Sequence, residues 1–140
     1  MKQIFVDTSA YYALTDGRDG NHEAAVRIVY QFIREGAELL TTNYVIAETH
    51  TLLLNRLGYS IALQVITELY RSRTRIYRVK EVEERRALEI IRKYSDKEYS
   101  LVDAISFATM ELFHLTQAFA FDHHFAQFGF SLLPAMKRKG

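Results

Sequence analysis

Four acidic residues lie in apolar surroundings where carboxylates are seldom found. Asp7 closes the strand-like run Ile4-Phe5-Val6, and Glu48 sits inside Tyr44-Val45-Ile46-Ala47-Glu48-Thr49. Asp103 lies inside Leu101-Val102-Asp103-Ala104-Ile105, and Asp122 closes Ala118-Phe119-Ala120-Phe121. Asp and Glu are almost never fully buried unless paired or bound to a cation. Four of them spread along one chain point to a cluster assembled by folding, and hard carboxylate oxygens suit Mg²⁺ or Mn²⁺. Acids around one or two such ions lower the pKa of bound water and stabilise a phosphoryl transition state, which is the equipment for phosphodiester hydrolysis.

Local structure offers competing explanations of unequal strength. Asp7 ahead of Thr8-Ser9 can cap a helix, and Asp122 can open the polar turn Asp122-His123-His124. Ser100-Leu101-Val102-Asp103 has the spacing of a capping box. Glu48 lies past the first turn of its helix among Val45, Ile46 and Leu52, where neither capping nor solvation accounts for it. Thr8, Ser9 and Asn43 are candidates for secondary contacts to the acids. His123 or His124 could touch phosphate, but no H-x-x-x-H or H-E-x-x-H spacing is present, which argues against a zinc hydrolase. Tyr11, Tyr12 and Tyr44 flank the same region, where packing into the wall competes with stacking on bases.

The elements that must position these residues alternate between strand and helix. Strands are expected at Gln3–Asp7, Glu38–Thr41, Ile76–Val79, Gln117–Phe121 and Phe130–Leu133. Helices are expected from Thr8 to about Leu14, His22–Glu35, Asn43–Leu57, Ser60–Arg73, Val82–Tyr94 and Ser100–His114. Such alternation predicts an α/β fold with a parallel sheet covered on both faces. In such sheets ligands bind beyond the carboxyl ends of the strands. Asp7 and Asp122 end strands, and Glu48 and Asp103 open helices, so all four can converge on one rim if the strand order allows it.

The chain has 140 residues, 49% of them hydrophobic and 25% charged, which is the profile of a single globular domain spanning 1–140. With no cysteine, disulfides and thiolate metal sites are excluded. The start, Met1-Lys2-Gln3-Ile4, shows no signal peptide, and no apolar run reaches membrane-spanning length, so a cytoplasmic location is expected. A net charge of +1 gives no global field toward nucleic acid. Arg71, Arg73, Arg75, Arg78 and Lys80 cluster locally, and Lys137-Arg138-Lys139 lies near the end. These groups can follow phosphates or simply form a solvated face.

With these segments in place the sequence resembles the PIN domain, and within it the VapC-like ribonuclease toxins of type II toxin–antitoxin pairs. The segments that carry the resemblance are Phe5-Val6-Asp7-Thr8-Ser9-Ala10, Thr41-Thr42-Asn43-Tyr44-Val45-Ile46-Ala47-Glu48-Thr49, Tyr99-Ser100-Leu101-Val102-Asp103-Ala104-Ile105-Ser106-Phe107-Ala108 and Ala120-Phe121-Asp122-His123-His124-Phe125, followed by Gly129-Phe130. The resemblance implies a PIN-like three-layer fold whose mostly parallel sheet has four or five strands. It implies that Asp7, Glu48, Asp103 and Asp122 form an acidic pocket binding Mg²⁺ or Mn²⁺ for cleavage of single-stranded RNA. It also implies a homodimer and a small antitoxin that occludes the pocket. One departure is Ala120, where many PIN domains carry Thr or Ser two residues before the last acid. The competing readings are a non-toxin PIN-like nuclease acting in RNA processing or on DNA, and a degenerate PIN-like module that binds RNA without cutting it.

Overall fold

The structure, a computed structural model, describes residues 2–135. The basic run Lys137-Arg138-Lys139 lies outside the described residues. In chain order the elements are β1 (Gln3–Val6), α1 (Thr8–Thr15), α2 (His22–Glu35), β2 (Glu38–Thr42), α3 (Asn43–Leu57), α4 (Tyr59–Arg71), β3 (Arg75–Tyr77), α5 (Glu81–Lys93), α6 (Leu101–Leu112), β4 (Gln117–Phe119), α7 (His124–Phe128) and β5 (Ser131–Leu133). The five strands form one sheet in the order β3-β2-β1-β4-β5. All four pairings are parallel.

Because side chains alternate along a strand, the three apolar residues of β1 serve two cores. Phe5 points to one face, where Val45, Ala87, Ile90, Ala104, Ile105, Phe107 and Phe125 from α3, α5, α6 and α7 cover it. Ile4 and Val6 point to the other, packed by Ala10 and Ala13 of α1 and by Ala25, Ile28 and Phe32 of α2. The result is the three-layer α/β arrangement anticipated above. The larger core is aromatic at its centre: Phe107 stacks on Phe128 at 4.6 Å between ring centres and meets Tyr99 and Phe125 edge-on at 5.0 and 5.1 Å.

Element ends depart from the sequence expectations where a side chain captures the backbone. The first strand stops at Val6 because Asp7 turns its carboxylate onto the Ser9 amide and caps α1. The third strand runs Arg75–Tyr77 rather than to Val79, since the Val79 amide donates to the Asn43 side chain instead of to a neighbouring strand. The fourth ends at Phe119 rather than Phe121, whose amide is taken by the Ser9 hydroxyl. The sixth expected helix stops at Leu112, and His114 then adopts a left-handed conformation with φ 55°. The short α7 was not anticipated, because five residues are too few to show a helical period. Gly36 does end α2 as expected, at φ 64°, where a side chain would be strained.

The aromatic core generates a direct expectation. Phe107→Ala removes the fully buried ring at its centre and should cost about 3–5 kcal/mol in urea-induced unfolding. A loss below about 1 kcal/mol would show that this ring does not anchor the core.

Candidate metal centre

The strand order puts the site where the sheet changes direction. From β1 the chain moves outward to β2 and β3, then returns across the sheet to β4 on the other side of β1. Crossovers leave in opposite directions at this switch point, opening a crevice beyond the carboxyl ends of β1 and β4. Val6 pairs with Phe119 there, so Asp7 and Asp122 leave adjacent strands within a few residues of one another. Glu48 is in the second turn of α3 and Asp103 in the first turn of α6, and both helices pack beside this edge.

The four acids are one electrostatic unit, although burial is unequal. Asp7 and Asp103 are buried at 4% and 9% exposure, whereas Glu48 and Asp122 are half-buried, so the expectation of burial holds in full only for the first two. Burial, joined by the charges of Asp103 and Glu48, pushes the Asp7 carboxyl up to about 6 against two hydrogen bonds from Ser9. Burial also holds Glu48 above the ordinary carboxylate range; the Thr8 hydroxyl opposes the shift, and Asp103 and Asp122 add to it. Asp7 thus feels Asp103 and Glu48, and Glu48 feels Asp103 and Asp122. Among the described residues no lysine or arginine pairs with any of the four. Their ion-pair neighbours are imidazoles, with His124 Nδ1 2.9 Å from Asp103 and 3.3 Å from Asp122, and His123 Nδ1 4.0 Å from Asp122.

The capping roles and the clustering coexist. Asp7 Oδ2 accepts from the Ser9 amide at 3.2 Å and the Ser9 hydroxyl at 2.7 Å, and that hydroxyl accepts from the Phe121 amide at 2.9 Å. Ser9 therefore ties Asp7 to the segment leading into Asp122. Asp103 forms a capping box with Ser100, each backbone amide bonding the other's side chain. Thr8 donates to the Val45 carbonyl and accepts from Thr49, fixing α1 to the turn of α3 that carries Glu48. Asn43 does not join the acids by hydrogen bond; its Oδ1 is committed to Val79. The residue that sequence reasoning undervalued is His124, whose ring meets two of the acids. The available signal was its position two residues after Asp122, at the spacing of an Asx turn.

The donor set fits a divalent metal: carboxylate oxygens are hard ligands, and clustered acids with no Lys or Arg partner, the raised Asp7 and Glu48 among them, are relieved by a bound cation. Asp103, Asp122 and His124 each offer a ligand atom within 4.8 Å of the others.

The basic cluster divides between the two edges of the sheet. Arg73 and Arg75 line a groove of about 650 Å³ with Gly36, Ala37 and Glu38, at the amino ends of β2 and β3 and away from the acids. Arg75 also stacks over Phe113 at 4.7 Å. Arg78 and Lys80 follow β3 and lie toward the carboxyl edge. For Arg73 and Arg75, strand direction therefore favours the solvated face over the phosphate-following one.

The PIN domain family profile matches residues 4–131. The chain is 35% identical over 127 residues to the 23S rRNA-specific endonuclease VapC20 of Mycobacterium tuberculosis, covering 91% of this chain and 95% of that protein. The crystal structure of M. tuberculosis VapC20, described as a sarcin-ricin loop cleaving toxin, superimposes with a TM-score of 0.84 over 91% of this chain and 95% of that one. FitAcB from Neisseria gonorrhoeae shares the fold at 18% identity, with a TM-score of 0.63 over 92% of this chain and 95% of that chain.

The raised pKa of Asp7 sets a pH signature. A carboxyl whose folded value of about 6 exceeds its ordinary value of 3.8 binds more protons when folded, so its ionisation destabilises the metal-free fold as pH rises between those values. The cost reaches about 3 kcal/mol above pH 6 and vanishes below pH 3.8. Without metal, Asp7→Asn should therefore raise the melting temperature by several degrees at pH 7.5, with the gain shrinking toward pH 4. A gain independent of pH, or a loss at neutral pH, would contradict the assigned burial cost.

Proposed function

This chain belongs to the PIN domain family, and on that premise we propose that it is a metal-dependent endoribonuclease that hydrolyses phosphodiester bonds in single-stranded RNA as the toxin of a toxin–antitoxin pair. The observation that carries the reading is the gathering of Asp7, Glu48, Asp103 and Asp122 at the sheet switch point without a lysine or arginine partner. The similarity to VapC20 supports ribonuclease chemistry over DNA cleavage and makes the sarcin-ricin loop of 23S rRNA the first substrate to test.

Asp7, Glu48, Asp103 and Asp122 would hold Mg²⁺ or Mn²⁺. The bound ion supplies an activated water and neutralises charge at the phosphoryl group. The residues of the chain do the rest by position. Ser9 fixes Asp7, and the Ser100 capping box fixes Asp103 on a rigid helix end. Thr8 and Thr49 seat the turn that presents Glu48. Arg78 and Lys80, which follow β3 toward the carboxyl edge, are the basic residues this reading assigns to phosphates flanking the cleaved bond.

Among the described residues no helix is long and apolar enough to cross a membrane. In this reading the chain acts on RNA in the cytoplasm as one 1–140 domain. Exposed Tyr59, Ile61, Leu63 and Tyr70 on α4 support association with a second copy and with an antitoxin.

Purified protein should cut ribosomal RNA in Mn²⁺ and stop when EDTA is added. Asp103→Asn and Glu48→Gln should each lower the cleavage rate by more than about a hundredfold while melting as cooperatively as the wild type. Cleavage that survives both substitutions would exclude this centre as the nuclease site. For binding, Arg78→Ala with Lys80→Ala should reduce the log–log salt slope by about 2, while Arg71→Ala with Arg73→Ala should leave it unchanged. The reverse result would restore the amino edge as the RNA face.

A further inference from the structure

We propose that His124 is a positioning residue that holds Asp103 and Asp122 in the arrangement that receives the cation, an inference that rests on the metal reading above. It engages both acids from a single position. Its backbone amide donates to Asp122 Oδ1 at 2.9 Å, and its ring Nδ1 lies 2.9 Å from Asp103 Oδ2 and 3.3 Å from Asp122 Oδ1. Two carboxylates facing one ring nitrogen place the proton on Nδ1, so the imidazole donates to Asp103 while the same nitrogen stays within ion-pair distance of Asp122. Asp103 arrives on α6 and Asp122 on the turn after β4, and among the described residues no other residue is hydrogen-bonded to both.

The contacts also sort the carboxylate oxygens. Asp103 Oδ2 already accepts from the Ser100 amide and the His124 ring, and Asp122 Oδ1 from the His124 amide, with the ring nitrogen close by. The second oxygen of each acid is left for a metal. The ring itself is held in place, standing edge-on to Tyr99 at 5.4 Å and 81°. Tyr99 in turn is buried against Phe107. The His124 amide also supplies Asp122 with a donor where Ala120 provides no hydroxyl. Seating α7 does not require this ring, because Phe125 is the fully buried anchor of that helix.

Hydrogen-bond partners of metal-ligating carboxylates typically contribute 10–100-fold to metal affinity. The test is a Mn²⁺ titration of the full chain, reading free Mn²⁺ by electron paramagnetic resonance, on wild type, His124→Ala, His124→Leu and His124→Asn. His124→Leu keeps bulk against Tyr99 without a donor, and His124→Asn keeps a donor near the position of Nδ1. Positioning predicts binding about 10–100-fold weaker for Ala and Leu, with partial recovery for Asn. It also predicts no directly coordinated nitrogen in pulsed spectra of Mn²⁺-loaded wild type. Rescue by Leu but not Asn would reduce His124 to packing and overturn the inference, as would unchanged affinity in all three variants. A strong ¹⁴N coupling would make His124 a ligand instead, again overturning it. If wild type binds no Mn²⁺, the metal reading falls and this inference with it; if only the variant series fails, the metal reading stands.

Discussion

Like charges held together out of water are the constraint around which this molecule is arranged. Asp7 is almost completely buried, and Glu48 and Asp103 add their charges to its burial cost. Folding could remove that cost cheaply by substituting an apolar side chain or by supplying an arginine. Neither is present at the site among the described residues. A fold that tolerates such repulsion does so for function, and the ordinary relief is a cation.

The surrounding structure serves to keep the acids from moving apart. Ser9 joins Asp7 to the backbone at Phe121, linking the ends of β1 and β4 by a hydroxyl rather than by a sheet bond. Thr8, Thr49 and the Val45 carbonyl join α1 to α3 within a buried pocket. The capping box of α6 makes Asp103 part of a helix end, so its carboxylate cannot swing away without exposing an unpaired amide. Asp7 and Asp103 are thus fixed by contacts that also hold secondary structure, which couples the geometry of the site to the stability of the fold.

Much of this was legible in the residues. Helix limits were sharpest where chemistry marks them: α2 runs His22–Glu35 and stops at Gly36, and α3 runs Asn43–Leu57 before Gly58, both as read from the sequence. The acids were legible because carboxylates inside apolar runs violate local patterning. Strand order was not, since pairing depends on contacts between distant segments, and with it went the division of the basic cluster between two edges. Ser9 bonding to Phe121 spans 112 positions and leaves no local trace. Asn43 was grouped with the acids by proximity in sequence, but its side chain serves Val79. His124 was legible as a neighbour of Asp122, whereas its reach to Asp103 depended on how α6 docks.

The most direct test of a cation-requiring acidic cluster is thermal unfolding of the wild-type protein at pH 7.5 across a Mn²⁺ titration. If the four carboxylates share an ion, the melting temperature rises once Mn²⁺ exceeds its dissociation constant and keeps rising with the logarithm of concentration, as expected for a ligand bound only by the folded state. A melting temperature that stays flat from micromolar to millimolar Mn²⁺ would contradict it.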